Sequence, residues 1–174
     1  YCVPGSSDPC DAPVAEWKMD ENQGSTVNDT SGNSNHGAIT GATWNDAGCK
    51  EGSCLGGFDD TSGYVDAGNG TSLNITDAIT LEAWFKSGNT TSTTNTIIGR
   101  LNWADWIWLN YNGSTQLIQA NIEGIIGYNS FYTGVPLNEW NHVSVTYDKT
   151  AGANNLRLYL NGVLKTSNTS TSSI

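Results

Sequence analysis

Basic residues are scarce in this chain. Seven Lys and Arg stand against 17 Asp and Glu in 174 residues, for a formal net charge of -10. With no basic stripe to displace counterions from phosphate, nucleic-acid binding is excluded as a function class. Docking to an anionic membrane surface is excluded for the same reason. Long apolar runs are missing too, and nothing approaches the roughly 20 residues that span a bilayer. No basic segment followed by an apolar one opens the chain, so Tyr1 reads as a processed N-terminus. Helical periodicity is almost absent. Catalytic constellations are equally hard to find. No strand carries carboxylates on alternate residues, the spacing that would bring two of them about 5 Å apart for glycan cleavage, and the two histidines, His36 and His142, sit in no Ser/His/Asp or Cys/His arrangement. The expectation is a chain that is not an enzyme.

What is present is short-range alternation. Apolar residues recur at period two in runs separated by Gly, Asn, Asp, Ser and Thr clusters, the pattern of many short strands. Strands are expected at Val14 to Met19, His36 to Thr40, Cys54 to Phe58, Tyr64 to Ala67, Thr80 to Lys86, Thr96 to Leu101 and Trp106 to Asn110. Five more follow at Leu117 to Ile122, Ile125 to Tyr128, Asn141 to Asp148, Leu156 to Leu160 and Val163 to Thr166. In the Thr80 to Lys86 run, Leu81, Ala83 and Phe85 fall on one face, with Glu82, Trp84 and Lys86 on the other. Asn161-Gly162 between the last two runs is a strong hairpin signal, because a type I′ turn needs two residues tolerant of positive φ. Strands at this spacing without helices between them predict an all-β antiparallel β-sandwich. Residues 1–13, with two Cys and three of the four Pro, form an extended lead-in. The sandwich domain is assigned to residues 14–174.

Four cysteines fall into two close pairs, Cys2/Cys10 and Cys49/Cys54. Their spacing suits local disulfides better than zinc, and disulfides imply an oxidising, extracellular compartment. Four cysteines allow three connectivities. Six Asn-x-Ser/Thr sequons begin at Asn28, Asn69, Asn74, Asn89, Asn112 and Asn168. Nearly all lie in expected loops, where a glycan can be carried.

Several segments together resemble the laminin G-like jelly rolls of bacteria and archaea, part of the concanavalin A-like lectin/glucanase superfamily. The run Glu16-Trp17-Lys18-Met19-Asp20-Glu21, then Asp29-Thr30-Ser31-Gly32 and Asn35-His36-Gly37, is similar to the family's opening. Gly57-Phe58-Asp59-Asp60 with Tyr64-Val65-Asp66, and then Ile79-Thr80-Leu81-Glu82-Ala83-Trp84-Phe85, resemble its next strands. Trp140-Asn141-His142-Val143-Ser144-Val145-Thr146-Tyr147-Asp148 and Leu158-Tyr159-Leu160-Asn161-Gly162 resemble its later strand and hairpin. The order is the family's, over about residues 16–165. The resemblance implies a jelly roll and makes Trp17, Trp84 and Trp140 core residues. It fixes no function, because the fold carries many. The family's closing strand would lie beyond Ile174. Either the chain is a piece of a longer one, or a neighbouring chain completes the sandwich by β-strand addition.

Three site expectations follow. Calcium is the cofactor that the loop Asp29 to Asn35 would take, through Asp29, Asn33 and Asn35 with Asp20, Asp59 and Asp60 as further oxygen sources; the alternative is an Asx-turn loop bonded to itself. Carbohydrate is the partner that Trp103, Asp105, Trp106 and Tyr132 would bind, pairing aromatic faces with hydrogen-bonding groups. Alternation puts Trp106 and Trp108 on one face, expected to pack inside the sandwich. The leading function is a secreted, non-catalytic recognition or adhesion module for a glycan or an extracellular protein. Two alternatives stand beside it: a filament or surface-layer subunit assembled from copies of itself, and an accessory domain of a larger secreted hydrolase.

Overall fold

A computed structural model of the chain describes residues 12–59, 61–88, 90, 95–101, 106–122 and 130–170, without the side chains of 101, 106, 130 and 131. The expected strand at Ile125 to Tyr128, together with Cys2, Cys10, Asp60, Asn89, Trp103 and Asp105, lies outside the described residues. The chain forms two compact units, residues 1–74 and 75–174.

The first unit is built from short strands. β1 (Thr26–Val27), β2 (Gly37–Thr40) and β5 (Tyr64–Asp66) form one antiparallel sheet in the order β1-β2-β5. β3 (Thr43–Asn45) pairs with β4 (Cys54–Gly56) as a hairpin, and a Cys49–Cys54 disulfide closes the segment between them. That bond matches one of the two local pairs expected. The strand expected at Val14 to Met19 is replaced by a single bridge between Trp17 and Asp29. Met19 and Asn22 have positive φ, 57° and 53°, which breaks the extended run. The Glu16 N–H bonds the Asp29 carboxylate instead of a neighbouring backbone.

The second unit is a sandwich of two four-stranded antiparallel sheets. One runs β10-β9-β8-β7, from β7 (Asn95–Leu101), β8 (Trp106–Asn112), β9 (Leu117–Ile122) and β10 (Ser130–Thr133). The other runs β13-β12-β11-β6, from β6 (Ala78–Phe85), β11 (Asn141–Asp148), β12 (Leu156–Leu160) and β13 (Val163–Asn168). Alternation decides which residues face inward. Ile107, Leu109 and Tyr111 of β8 and Ile118, Ala120 and Ile122 of β9 meet Val143, Val145 and Tyr147 of β11 and Leu156, Leu158 and Leu160 of β12 in one buried cluster. Burying each large side chain contributes about 1.5–3 kcal/mol. Phe85 and Tyr111 stack across the sheets at 5.3 Å between ring centroids. A bulge between Thr96 and Ile98 lets Ile97 and Ile98 both pack on this core.

Trp84 does not join that core. It is 48% exposed, because Leu81 and Phe85 take the inward positions of β6. The hairpin forms as expected: Leu160 pairs with Val163 across Asn161 and Gly162, which have φ of 51° and 76°.

Candidate functional site

The inward residues of β8 and β9 fix what the other face of their sheet presents. Since Ile107, Leu109 and Tyr111 point to the core, Trp108, Asn110 and Asn112 point away from it. In β9, Gln119 and Asn121 do the same. Register places Trp108 opposite Asn121 and Asn110 opposite Gln119, so their side chains are direct cross-strand neighbours. Trp108 therefore stands outside the core on which it was expected to pack. A core position and an outward one are a single residue apart on a strand.

This face is polar yet largely withdrawn from solvent. Asn110 is 8% and Gln119 7% exposed. The carboxamide oxygens of Asn110, Gln119 and Asn121 are buried and have no hydrogen-bond partner among the described residues. Leaving a buried acceptor unpaired costs about 1–3 kcal/mol, so three such oxygens side by side form a standing demand for donors. Trp108 at the end of the row adds an apolar ring face.

Room for that tryptophan comes from Gly99, its partner on β7. A Cβ at Gly99 would lie 2.8 Å from the Trp108 Cβ and 3.0 Å from the Ile107 carbonyl oxygen. Gly99→Val is expected to push β7 away from β8, at a cost of about 1–3 kcal/mol. The Trp108 indole signal in a 1H-15N spectrum should move with it. An unchanged urea midpoint and indole signal would remove Gly99 from this role.

Of the four expected carbohydrate residues, the described side chains include that of Tyr132 alone. Trp103 and Asp105 are outside the described residues, and Trp106 opens β8. Tyr132 lies on the opposite face of the sheet, packed against the core, with Lys165 Nζ 4.8 Å from its ring centroid. Asn110, Gln119 and Asn121 were not singled out from the sequence. Positions 108, 110 and 112 of β8 and 117, 119 and 121 of β9 spell Trp, Asn, Asn and Leu, Gln, Asn, but it is the register that brings them together.

The loop expected to hold calcium is organised around Asp29, 7% exposed. Its Oδ1 accepts the Glu16 and Ser31 N–H groups, both at 2.9 Å, and its Oδ2 accepts the Ser31 hydroxyl at 2.8 Å and the Asn35 N–H at 2.9 Å. Burial by itself raises the Asp29 pKa, but these four donors hold the carboxyl well below the ordinary range. Asn33 Nδ2 and Asn35 Nδ2 both donate to the Val14 carbonyl, and Asn35 Oδ1 accepts the Ser72 hydroxyl. Asp59 is satisfied in the same way by Thr61, Ser62 and Gly63, which keep its carboxyl well below the usual range. Calcium needs six to eight oxygen ligands, whereas these carboxylates are already saturated by donors. No cluster of three His, Cys, Asp or Glu exists among the described residues. As arranged, the loop does not fit a cation. Four of the sequon asparagines, Asn28, Asn69, Asn74 and Asn168, are exposed. Asn112 is half-buried, and its Oδ1 accepts from Ser114 and Thr115.

Comparison with known proteins adds three findings. The family model described as the Concanavalin A-like lectin/glucanases superfamily, laminin G type, matches residues 59–174. A similar solved structure is domain 4 of AbnA, a GH43 extracellular arabinanase from Geobacillus stearothermophilus, in complex with arabinotriose. It is 25% identical, with a TM-score of 0.62, over 92% of this chain and 76% of that one. No curated protein matches the chain.

Proposed function

Because this chain belongs to the concanavalin A-like lectin/glucanases superfamily, we propose that it is a non-catalytic carbohydrate-binding module that works outside the cell. The observation that carries the proposal is the outward polar row of Asn110, Gln119 and Asn121 beside Trp108. Its amide oxygens are buried and have no partner among the described residues, so that a ligand must displace what covers them. Sugar hydroxyls donate to amide oxygens, and a sugar ring lays its C–H face on an indole. The same row speaks against hydrolysis. Alternate residues of β9 are Leu117, Gln119 and Asn121, and an amide can neither protonate a leaving group nor attack an anomeric carbon. The similar arabinanase domain, solved with arabinotriose, supports a short neutral oligosaccharide as ligand. It also favours a second reading, an accessory module of a larger hydrolase. The Cys49–Cys54 disulfide and the exposed sequons support secretion. No helix among the described residues is long and apolar enough to cross a membrane.

Titration with arabinotriose, followed by tryptophan fluorescence, tests the site. Wild type is expected to bind, Trp108→Ala to lose about tenfold or more in affinity, and Gln119→Ala to weaken binding by a similar factor. Incubation with linear arabinan is expected to release no reducing sugar. Unaltered affinity in both variants would refute the assignment, and sugar release would refute the non-catalytic reading.

A further inference from the structure

The outward face of the other sheet is unlike an ordinary solvated surface. Three cross-strand rows cover it: Trp84 beside His142; Glu82, Ser144 and Tyr159 in line; and Thr80, Thr146 and Arg157 in line. All are outward because Val143, Val145, Tyr147, Leu156 and Leu158 take the core. Trp84 is 48% exposed but not loose, since its ring packs on His142 at 5.2 Å between centroids. His142 Nε2 in turn lies 3.6 Å from Glu82 Oε2. The third row, with Tyr159 of the middle row and Asp148, lines part of a shallow groove of about 470 Å³.

We propose that this outward face of β6, β11 and β12 is a second carbohydrate-binding surface, with Trp84 as its stacking platform and the groove as its far end. From Thr80 to Trp84 the strand advances about 14 Å, the length of a short oligosaccharide lying along it. A carboxylate, an imidazole, a guanidinium, hydroxyls and a phenol all reach this track, which suits a ligand made of hydroxyls. The groups sit on paired strands rather than loops, so little ordering cost accompanies binding. The ligand is neutral, because Glu82 and Asp148 border the track and the net charge of -10 repels polyanions. Two surfaces on separate sheets would let one module bridge two polysaccharide chains, or hold one chain with the avidity of two contacts.

The ligand class rests on the carbohydrate reading given above, whereas the location does not. The test follows the seven tryptophan indole N–H signals of 15N-labelled protein through an arabinotriose titration. Trp84→Ala and Trp108→Ala identify the two signals concerned. The Trp84 signal is expected to shift to saturation, in wild type and equally in Trp108→Ala. Trp84→Ala is expected to leave the Trp108 titration unchanged. A Trp84 signal that stays put while Trp108 saturates would overturn this second surface alone. Movement of Trp84 without Trp108 would support it and sink the first site, and no movement of either would sink both.

Discussion

Leu109→Ala is expected to destabilise the second unit by about 3–4 kcal/mol, while Trp108→Ala, one residue away, is expected to cost about 1 kcal/mol or less. Leu109 is fully buried at the centre of the cluster between the two sheets. Truncating it removes the transfer energy of the lost atoms and leaves a cavity that paired strands cannot collapse. Trp108 points the other way, half-buried among amides, so its truncation takes contacts from a ligand rather than from the core. The two variants should therefore part company in a urea titration, and part in the opposite sense in an arabinotriose titration. Similar midpoint shifts in both would mean that the faces of β8 are assigned the wrong way round.

That contrast also marks what was legible in the sequence. Alternation placed Asn141 to Asp148, Leu117 to Ile122 and Leu156 to Leu160 within their observed bounds, because a strand with one buried face writes its period into the chain. It put Trp106 and Trp108 on one side of β8 but could not say which side was inside. Ile107, Leu109 and Tyr111 on the intervening positions decided that. At Trp84 the family pattern suggested a core residue, whereas the neighbours Leu81 and Phe85 had already claimed the core. β1, β3 and β10, of two, three and four residues, were not expected, although β4 and β5, three residues each, lie within expected strands. The first expected strand failed for a local reason. Around Trp17 a single bridge and the Thr30 N–H to Glu16 carbonyl bond are joined by the Glu16 N–H bonding the Asp29 side chain, and side-chain hydrogen bonding leaves no periodicity to read. The amide row was invisible as a site because its meaning lies in cross-strand register, which joins Asn110 to Gln119 across a turn.

Asp29→Ala is expected to destabilise the first unit by about 3 kcal/mol, since four donors lose a charged acceptor and hydrogen bonds to charged groups contribute about 1.5–3 kcal/mol each. Partial rehydration of the freed N–H groups keeps the cost below the sum. Acid supplies the companion measurement. The Asp29 carboxyl is held below its ordinary pKa in the folded chain, so its contribution is complete above about pH 4. It is lost as the pH falls through the folded value. Wild type should therefore lose stability below about pH 4 more steeply than Asp29→Ala, in chemical melts followed by the fluorescence of Trp17 and Trp44. Parallel pH profiles would show that the carboxylate's charge does not hold this loop. Asn35→Ala should echo part of the effect, because Asn35 ties the same loop to Val14 and Ser72.

The turn at Asn161-Gly162 carries a chemical liability that its geometry restrains. An asparagine followed by glycine is prone to cyclise, the glycine nitrogen attacking the side-chain carbonyl and expelling ammonia. Here the Asn161 carboxamide is pinned at both ends, its Oδ1 accepting the His142 N–H at 2.8 Å and its Nδ2 donating to Asn141 Oδ1 at 3.1 Å. Held there, it cannot swing onto the Gly162 nitrogen. The hairpin is therefore expected to age slowly while folded and quickly once opened, so that isoaspartate at residue 161 would accumulate with the time spent unfolded.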